Sequence, residues 1–313
     1  MKYYNLSQSN TKISSVIQGC MRLKGKTITE VEQIIRTDME QGINHFDHAD
    51  VYGSANARGE CEELFGTVLQ SAPSLRDNMY IQSKCGIRKS GKGYYDFSKT
   101  HIIEATNAIL SRLKIEYLDA MLLHRPDALM EAEEVAEAFD YLYQSGKVKN
   151  FGVSNMNGMQ IELLKQYVKQ PIVFNQMQLS IAHSVMIDAG LSVNNHMDQS
   201  IDYGQGCLEY AQLNNITIQA WSPFQKGFFE GTFIGDLQNY KELNEVLDSL
   251  AKKYEVTNTA IAVAWILRHP AHMQVILGTT NIERIKDAGA GSEVTLSREE
   301  WYQIYTASGK KIL

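Results

Sequence analysis

Eight short runs rich in Val, Ile, Leu or Phe recur along the chain, most of them ending on polar residues and separated by stretches of helical character. They are 15–20 (SVIQGC), 43–47 (INHFD), 79–84 (MYIQSK), 117–124 (YLDAMLLH), 148–154 (VKNFGVS), 172–176 (IVFNQ), 216–222 (ITIQAWS) and 273–279 (MQVILGT). Near-continuous apolar runs suit strands covered on both faces, and strands alternating with helices imply parallel pairing. Eight such units predict an α/β fold, a (β/α)8 TIM barrel, with residues 1–313 forming one domain. A doubly wound sheet would carry G-x-G-x-x-G after an early strand. The three G-x-G triplets, at 91–93, 204–206 and 289–291, do not continue that way, and none directly follows a strand.

The stretches between the runs carry helix signals. Residues 30–42 set Val31, Ile34, Ile35 and Met39 on one face and stop at Gly42. Residues 98–113 start at Ser98 as N-cap and turn Ile102, Ile103, Ala105, Ile109 and Leu113 inward. Residues 131–146 place acids in the first turn and end at Gly146. Further crossovers are expected at 159–168, 206–215, 258–269 and 281–289, with an extra helix at 240–254 after the seventh strand. A terminal helix at 297–308 opens with Ser297 and Glu300 as a capping box. Residues 2–14 are expected to form a hairpin that closes the barrel floor.

Composition narrows the classes. Net charge is −6 with both signs dispersed and no basic block, which argues against nucleic acid. No apolar run approaches the roughly 18 residues of a membrane span, and the first residues hold no apolar leader. Cys20, Cys61, Cys85 and Cys207 form no C-x-x-C pair, so scattered free thiols and a cytoplasmic location are expected.

In such a barrel the reactive groups follow the strands. Reading those positions gives Asp47 and Tyr52, Lys84, His124, Ser154 with Asn155, Asn175 with Gln176, Trp221 with Ser222, then Gly278, Thr279 and Thr280. The segment 45–50 (HFDHAD) admits three readings: a metal site, a proton relay, or polar strand-end decoration. Strand alternation puts His45 and Asp47 on one face and Phe46 on the other, and His48 and Asp50 fall where the strand is ending, so no metal is expected. A relay uses other members. Tyrosine is a poor acid with a pKa of about 10. A neighbouring Lys84 ammonium would lower it, Asp47 would keep that ammonium charged, and His124 would position a carbonyl oxygen. Segments 221–227 (WSPFQKG) and 278–284 (GTTNIER) look suited to phosphates, the second because a turn opens into a helix N-terminus and carries Arg284.

The motifs FDHADVYG, SKCG, LLHRPD, GVSN, NQ, WSPFQKG and GTTNIER, in this order from residue 13 to 305, closely resemble the aldo-keto reductases, most of all a bacterial oxidoreductase branch with HADxYG and SKCGI. The resemblance implies NADPH bound without a Rossmann fold and reduction of a small-molecule aldehyde or ketone. It makes Tyr52 the general acid, tuned by Lys84 and Asp47, with His124 orienting the substrate. Ser154, Asn155 and Gln176 would hold the nicotinamide carboxamide, and Trp221, where tyrosine is common, would stack on the ring. Met21 and Arg22 would line the ribose. Ser222, Pro223, Phe224, Gln225, Lys226 and Gly227 would wrap the pyrophosphate. Thr279, Thr280 and Arg284 would hold the adenosine phosphate, with Asp287 near the adenine. A lysine common at the 2′-phosphate is Gly278 here, which opens NADH as a second cofactor. A monomer or small homo-oligomer is expected.

Candidate pocket walls are Leu23 and the loops 86–97 and 224–233, with Tyr94, Tyr95, Phe97 and Phe228. Arg125 either meets an acidic substrate or pairs with Asp127. Two other classes compete: a cofactor-binding sensor or accessory subunit with little turnover, and a metal-dependent barrel hydrolase built on 45–50.

Overall fold

Each of the eight runs forms a strand. In the computed structural model, which describes residues 1–6, 11–54, 56–88 and 91–312, they pair in parallel into a closed barrel. The strands are β1 (Val16–Gly19), β2 (His45–Asp47), β3 (Tyr80–Cys85), β4 (Leu118–Leu123), β5 (Val148–Ser154), β6 (Ile172–Gln178), β7 (Thr217–Trp221) and β8 (Gln274–Leu277). They follow one another around the barrel, and β8 closes on β1 through Val275 and Val16.

Eleven α-helices are present among the described residues: α1 (Ile28–Glu40), α2 (Glu60–Ser71), α3 (Lys99–Leu113), α4 (Ala132–Gln144), α5 (Gly158–Lys165), α6 (Val185–Leu191), α7 (Cys207–Leu213), α8 (Lys241–Tyr254), α9 (Asn258–Leu267), α10 (Ile282–Gly291) and α11 (Arg298–Ala307). The expected signals operate. Val31, Ile34 and Ile35 are buried on α1, and Met39 packs half-buried beside them. The Ser98 side chain caps α3 by accepting from the His101 N–H. Ser297 and Glu300 form the reciprocal box that opens α11.

Two helices, α2 and α6, are additions to the sequence reading. Helix α2 starts at Gly59, in a left-handed conformation with no side-chain cap, and carries Gly66 at its middle. Glycine weakens a helix signal at both places. Gly66 is instead a point of close approach: a Cβ there would lie 2.1 Å from the Arg112 carbonyl oxygen of α3. Helix α6 has seven residues and no side-chain cap, too short to establish a period.

The floor is closed as expected by an antiparallel hairpin of Tyr3–Asn5 and Lys12–Ser14; residues 7–10, within the predicted hairpin, lie outside the described residues. Leu6 and Ile13 plug the barrel against Tyr80, Ala120, Leu122, Val173 and Phe174. Outside the barrel, Phe46 meets Phe65 of α2 at 5.3 Å between ring centroids. Trp265 of α9 and Trp301 of α11 stack at 4.9 Å, and each indole N–H donates to the other's backbone carbonyl. All four cysteines are buried and unbridged, and no helix among the described residues is long and apolar enough to cross a membrane.

Helix propensity and packing make opposite demands at Gly66. Alanine in a helix interior is worth about 1 kcal/mol over glycine, whereas overpacking a tight contact costs about 1–3 kcal/mol. Gly66→Ala is expected to lower the thermal midpoint. A rise would show that α2 and α3 can separate without cost.

Candidate active site

Barrel interiors of this kind are normally filled by layers of branched apolar side chains. The upper interior here is polar. Strand register sets Asp47 beside Gln82, Gln176 beside Gln219, and Gln219 beside Gln274. Asp47 is the hub. Its Oδ1 accepts from Lys84 Nζ at 2.6 Å, Gln82 Nε2 at 2.7 Å and Gln176 Nε2 at 2.7 Å, and its Oδ2 accepts from Lys84 at 2.6 Å. Lys84, only 1% exposed, also donates to the His48 carbonyl at 2.7 Å.

The amides below Asp47 are locked in one orientation. Gln274 Nε2 donates to the Ser14 carbonyl and to His45 Nδ1, so the His45 proton sits on Nε2 and is donated to Gln82 Oε1 at 2.9 Å. Gln219 Oε1 accepts from Gln82 and Gln176 at 2.9 Å each, and its Nε2 donates to Gln82 and Gln274 at 3.1 Å each. A chain of hydrogen bonds thus runs from the floor to the carboxylate, with every member satisfied as a buried polar group must be.

The segment 45–50 sends its four polar side chains three ways. His45 and Asp47 face into the barrel. His48 is buried edge-on against Phe65 at 4.6 Å between centroids. Asp50 pairs with Arg58 at 2.7 Å. Among the described residues no group of three or more His, Cys, Asp or Glu is placed to hold a metal ion.

Above the Asp47–Lys84 pair lies Tyr52. Lys84 Nζ is 5.2 Å from the centroid of its ring, and the ring meets His124 edge-on at 6.0 Å. The expected depression of the Tyr52 pKa is reversed. Burial, then the charge on Asp47, hold the hydroxyl well above its ordinary value, and Arg125 is the cation that opposes them. The physical reason is that Lys84 has its ammonium neutralised at contact distance by Asp47 and donates its third bond to a backbone carbonyl. Burial also holds Lys84 below its ordinary value, with Asp47 opposing.

A cleft of about 480 Å³ opens above these groups. Asp47, Tyr52 and His124 line it, with Lys84 beneath them. Of the other sequence-predicted contacts, Met21, Arg22, Ser154, Asn155, Gln176, Trp221, Ser222, Pro223, Phe224, Gln225, Gly278, Thr279 and Arg284 also line it. Lys226, Gly227, Thr280 and Asp287 do not; the Lys226 ammonium is held by Asp236 at 2.8 Å. Asn175 turns away, tying β6 to the Met156 carbonyl.

On the far wall, the Trp221 indole N–H donates to Asn155 Oδ1 at 3.2 Å, and Asn155 Nδ2 donates to Ser154 Oγ at 2.7 Å. Asn155 and Ser222 both take left-handed backbone conformations, φ +58° and +54°, which turn the chain sharply at the rim. Both N–H groups of Gln176 being engaged below, its Oε1 is the atom left for the cleft.

The expected substrate walls are only partly right. Phe228 lines the cleft, joined by Phe229, Gly231, Thr232 and Ile234. Leu23 and Phe97 are buried in the core, and Tyr94 and Tyr95 stand exposed on a small hairpin. Lys89 and Ser90 of the 86–97 loop lie outside the described residues. Missed by the sequence reading were Gly19, Ile234, Thr259, Ile276 and Leu277 in the lining, and Gln82, Gln219 and Gln274 beneath it. A signal existed: Gln82 and Gln219 stand two positions before Lys84 and Trp221, on the same strand face as those rim residues.

Known proteins resemble this chain over nearly its whole length. The profile described as Aldo/keto reductase family matches residues 15–308. The chain is 34% identical over 313 residues to 6-dehydroglucose reductase of Agrobacterium fabrum, covering 96% of each protein. It is 31% identical over 314 residues to Oxidoreductase YdhF of Escherichia coli, covering 97% of this chain and 96% of that one. The crystal structure of the thermostable aldo-keto reductase Tm1743 with the inhibitor epalrestat superposes with a TM-score of 0.77 at 22% identity, covering 98% of this chain and 100% of that one; this likeness is one of fold.

Burial pushes His45 down to about 4 and His48 down to about 3 from an ordinary 6.5, so both are neutral in the native state. Because the unfolded chain binds these protons more readily, their contribution to stability is complete above pH 6.5 and is lost as pH falls from there to about 4 for His45 and about 3 for His48. The thermal midpoint is expected to drop over that window, and His45→Gln, which cannot titrate, to flatten the drop. A midpoint independent of pH there would contradict a neutral His45.

Proposed function

Because the chain belongs to the aldo/keto reductase family, we propose that it reduces an aldehyde or ketone to the alcohol with NADPH, Tyr52 acting as the proton donor. The family assignment makes it an oxidoreductase that uses a nicotinamide cofactor; the choice of NADPH and the residue roles are our reading. The observation that carries the reading is the gathering of Asp47, Tyr52, Lys84 and His124 from three neighbouring strand ends at one end of the cleft.

The donors along the cleft suit the cofactor. Trp221 offers a fixed indole face, and Gln176 Oε1, Ser154 and Asn155 stand together as partners for a carboxamide. Ser222 to Gln225 and Met21 also border the cleft. Arg22 and Arg284, with Thr279, stand on the β1 and β8 side, where phosphate oxygens would find cations and a helix N-terminus. When bound, the dihydronicotinamide supplies the hydride.

The chain supplies the proton and the geometry. Tyr52, held protonated through neutrality, donates from its hydroxyl to the carbonyl oxygen as charge develops there. His124, edge-on to the Tyr52 ring, orients that oxygen. Lys84, fastened by two bonds to Asp47, holds that carboxylate and its amide partners in place beneath the phenol.

Positioned general acids contribute about 10²–10⁴-fold. Tyr52→Phe is expected to lower kcat by about that factor while NADPH still binds, measured by NADPH consumption and by fluorescence titration. Wild-type turnover in the variant would remove Tyr52 from the mechanism. Because the acid must be protonated, the wild-type reduction rate should stay level through neutral pH and decline only in alkali. Arg284→Ala should raise KM for NADPH and leave KM for NADH nearly unchanged; equal effects on both would place Arg284 away from the 2′-phosphate.

A further inference from the structure

We propose that Arg125 recognises a negatively charged group on the substrate, so that the preferred substrates are carbonyl compounds bearing a carboxylate; this rests on the reductase reading above. The cleft lining contains four charged side chains, Arg22, Asp47, Arg125 and Arg284. Asp47 is neutralised by Lys84. None of the three guanidinium groups forms an ion pair among the described residues, so three cations border the cleft in a chain whose net charge is −6.

Two of the three are accounted for by cofactor phosphates. Arg22 follows β1 and Arg284 follows β8, and these strands are neighbours. Arg125 follows β4, four strands away from β8 on the opposite side of the barrel. It is next in the chain to His124, and its charge is felt by Tyr52. It therefore belongs to the end of the cleft where the carbonyl is held.

The alternative partner suggested by sequence is engaged elsewhere. Asp127 accepts from the Phe97 N–H at 3.0 Å through one oxygen and from the Leu129 N–H at 2.9 Å through the other. Arg125 instead lies by Trp221 and Phe228, 5.3 and 5.9 Å from their ring centroids. Aromatic neighbours hold a guanidinium in place while accepting none of its hydrogen bonds within the ring plane. Partial burial lowers its pKa and removes hydration that an anion would replace. Planar, bidentate carboxylate recognition is what such a group is shaped for.

The test uses the full chain with NADPH and two aldehydes of one shape, 4-carboxybenzaldehyde and methyl 4-formylbenzoate. The ester is intrinsically the more electrophilic, so reactivity alone favours it. The expected result is a kcat/KM preference for the carboxylate of about tenfold or more, shrinking as salt is added. Arg125→Met should abolish the preference, chiefly through KM of the carboxylate, and Arg125→Lys should retain part of it. No preference in the wild type, or an equal loss on both substrates in Arg125→Met, overturns the proposal. Benzoate and benzamide binding to the NADP⁺-loaded protein gives a readout independent of turnover. Benzoate should bind more tightly, and Arg125→Met should erase the difference. Selective benzoate binding that Arg125→Met erases, with neither aldehyde reduced, would support Arg125 and defeat the reductase reading. Benzoate binding no tighter than benzamide would defeat the Arg125 assignment whatever the turnover.

Discussion

A single carboxylate, that of Asp47, accepts four hydrogen bonds inside a closed barrel, and the upper half of the molecule is arranged around it. Burying an ion pair costs several kcal/mol in lost hydration, and removing one partner of such a pair typically costs about 3–5 kcal/mol. The Asp47–Lys84 pair is tolerated because its remaining bonding capacity is filled by two glutamine amides and a backbone carbonyl. Those amides are aligned by Gln219, Gln274 and His45, so the orientation of the carboxylate is set from the barrel floor upward. The hairpin under the barrel therefore takes part in the same network, through the Ser14 carbonyl.

The apolar scaffold and the polar interior make different demands on the same strands. Outward positions such as Phe46 and Phe151 pack against the helices, while inward positions two residues apart alternate between levels of the interior. Parallel pairing fixes the strand register, and the register brings residues distant in sequence to one level. Rim groups then need only short extensions beyond the strand ends. Two left-handed residues, Asn155 and Ser222, bend those extensions so that one indole is anchored by one amide.

Much of this was legible in the sequence. All eight strands were, because each is a β-rich run followed by a rim residue, and so were the caps at Ser98 and Ser297, which act locally. The convergence of residues 47, 52, 84 and 124 followed from strand order alone. Helix α2 was hidden because Gly66 serves a contact with α3, and single-chain periodicity cannot see a partner helix. The glutamine network was hidden because Gln82, Gln219 and Gln274 sit in runs that otherwise read as apolar strands. The direction of the Tyr52 shift was misjudged because it depends on how completely Lys84 is neutralised, a matter of ångströms. The pocket walls failed for a similar reason: Phe97 and Leu23 fill the core, and Tyr94 and Tyr95 belong to a surface hairpin.

The chain contains three tryptophans, distributed unequally. Trp265 and Trp301 form a closed, mutually bonded couple between α9 and α11, outside the cleft lining. Trp221 stands alone in the cleft wall. The protein thus carries an internal optical reporter: a contact-dependent spectral displacement on occupancy is expected from Trp221, the one tryptophan in the cleft lining. Occupancy of the cleft can be followed without label or turnover, by light from a residue that would itself touch the guest.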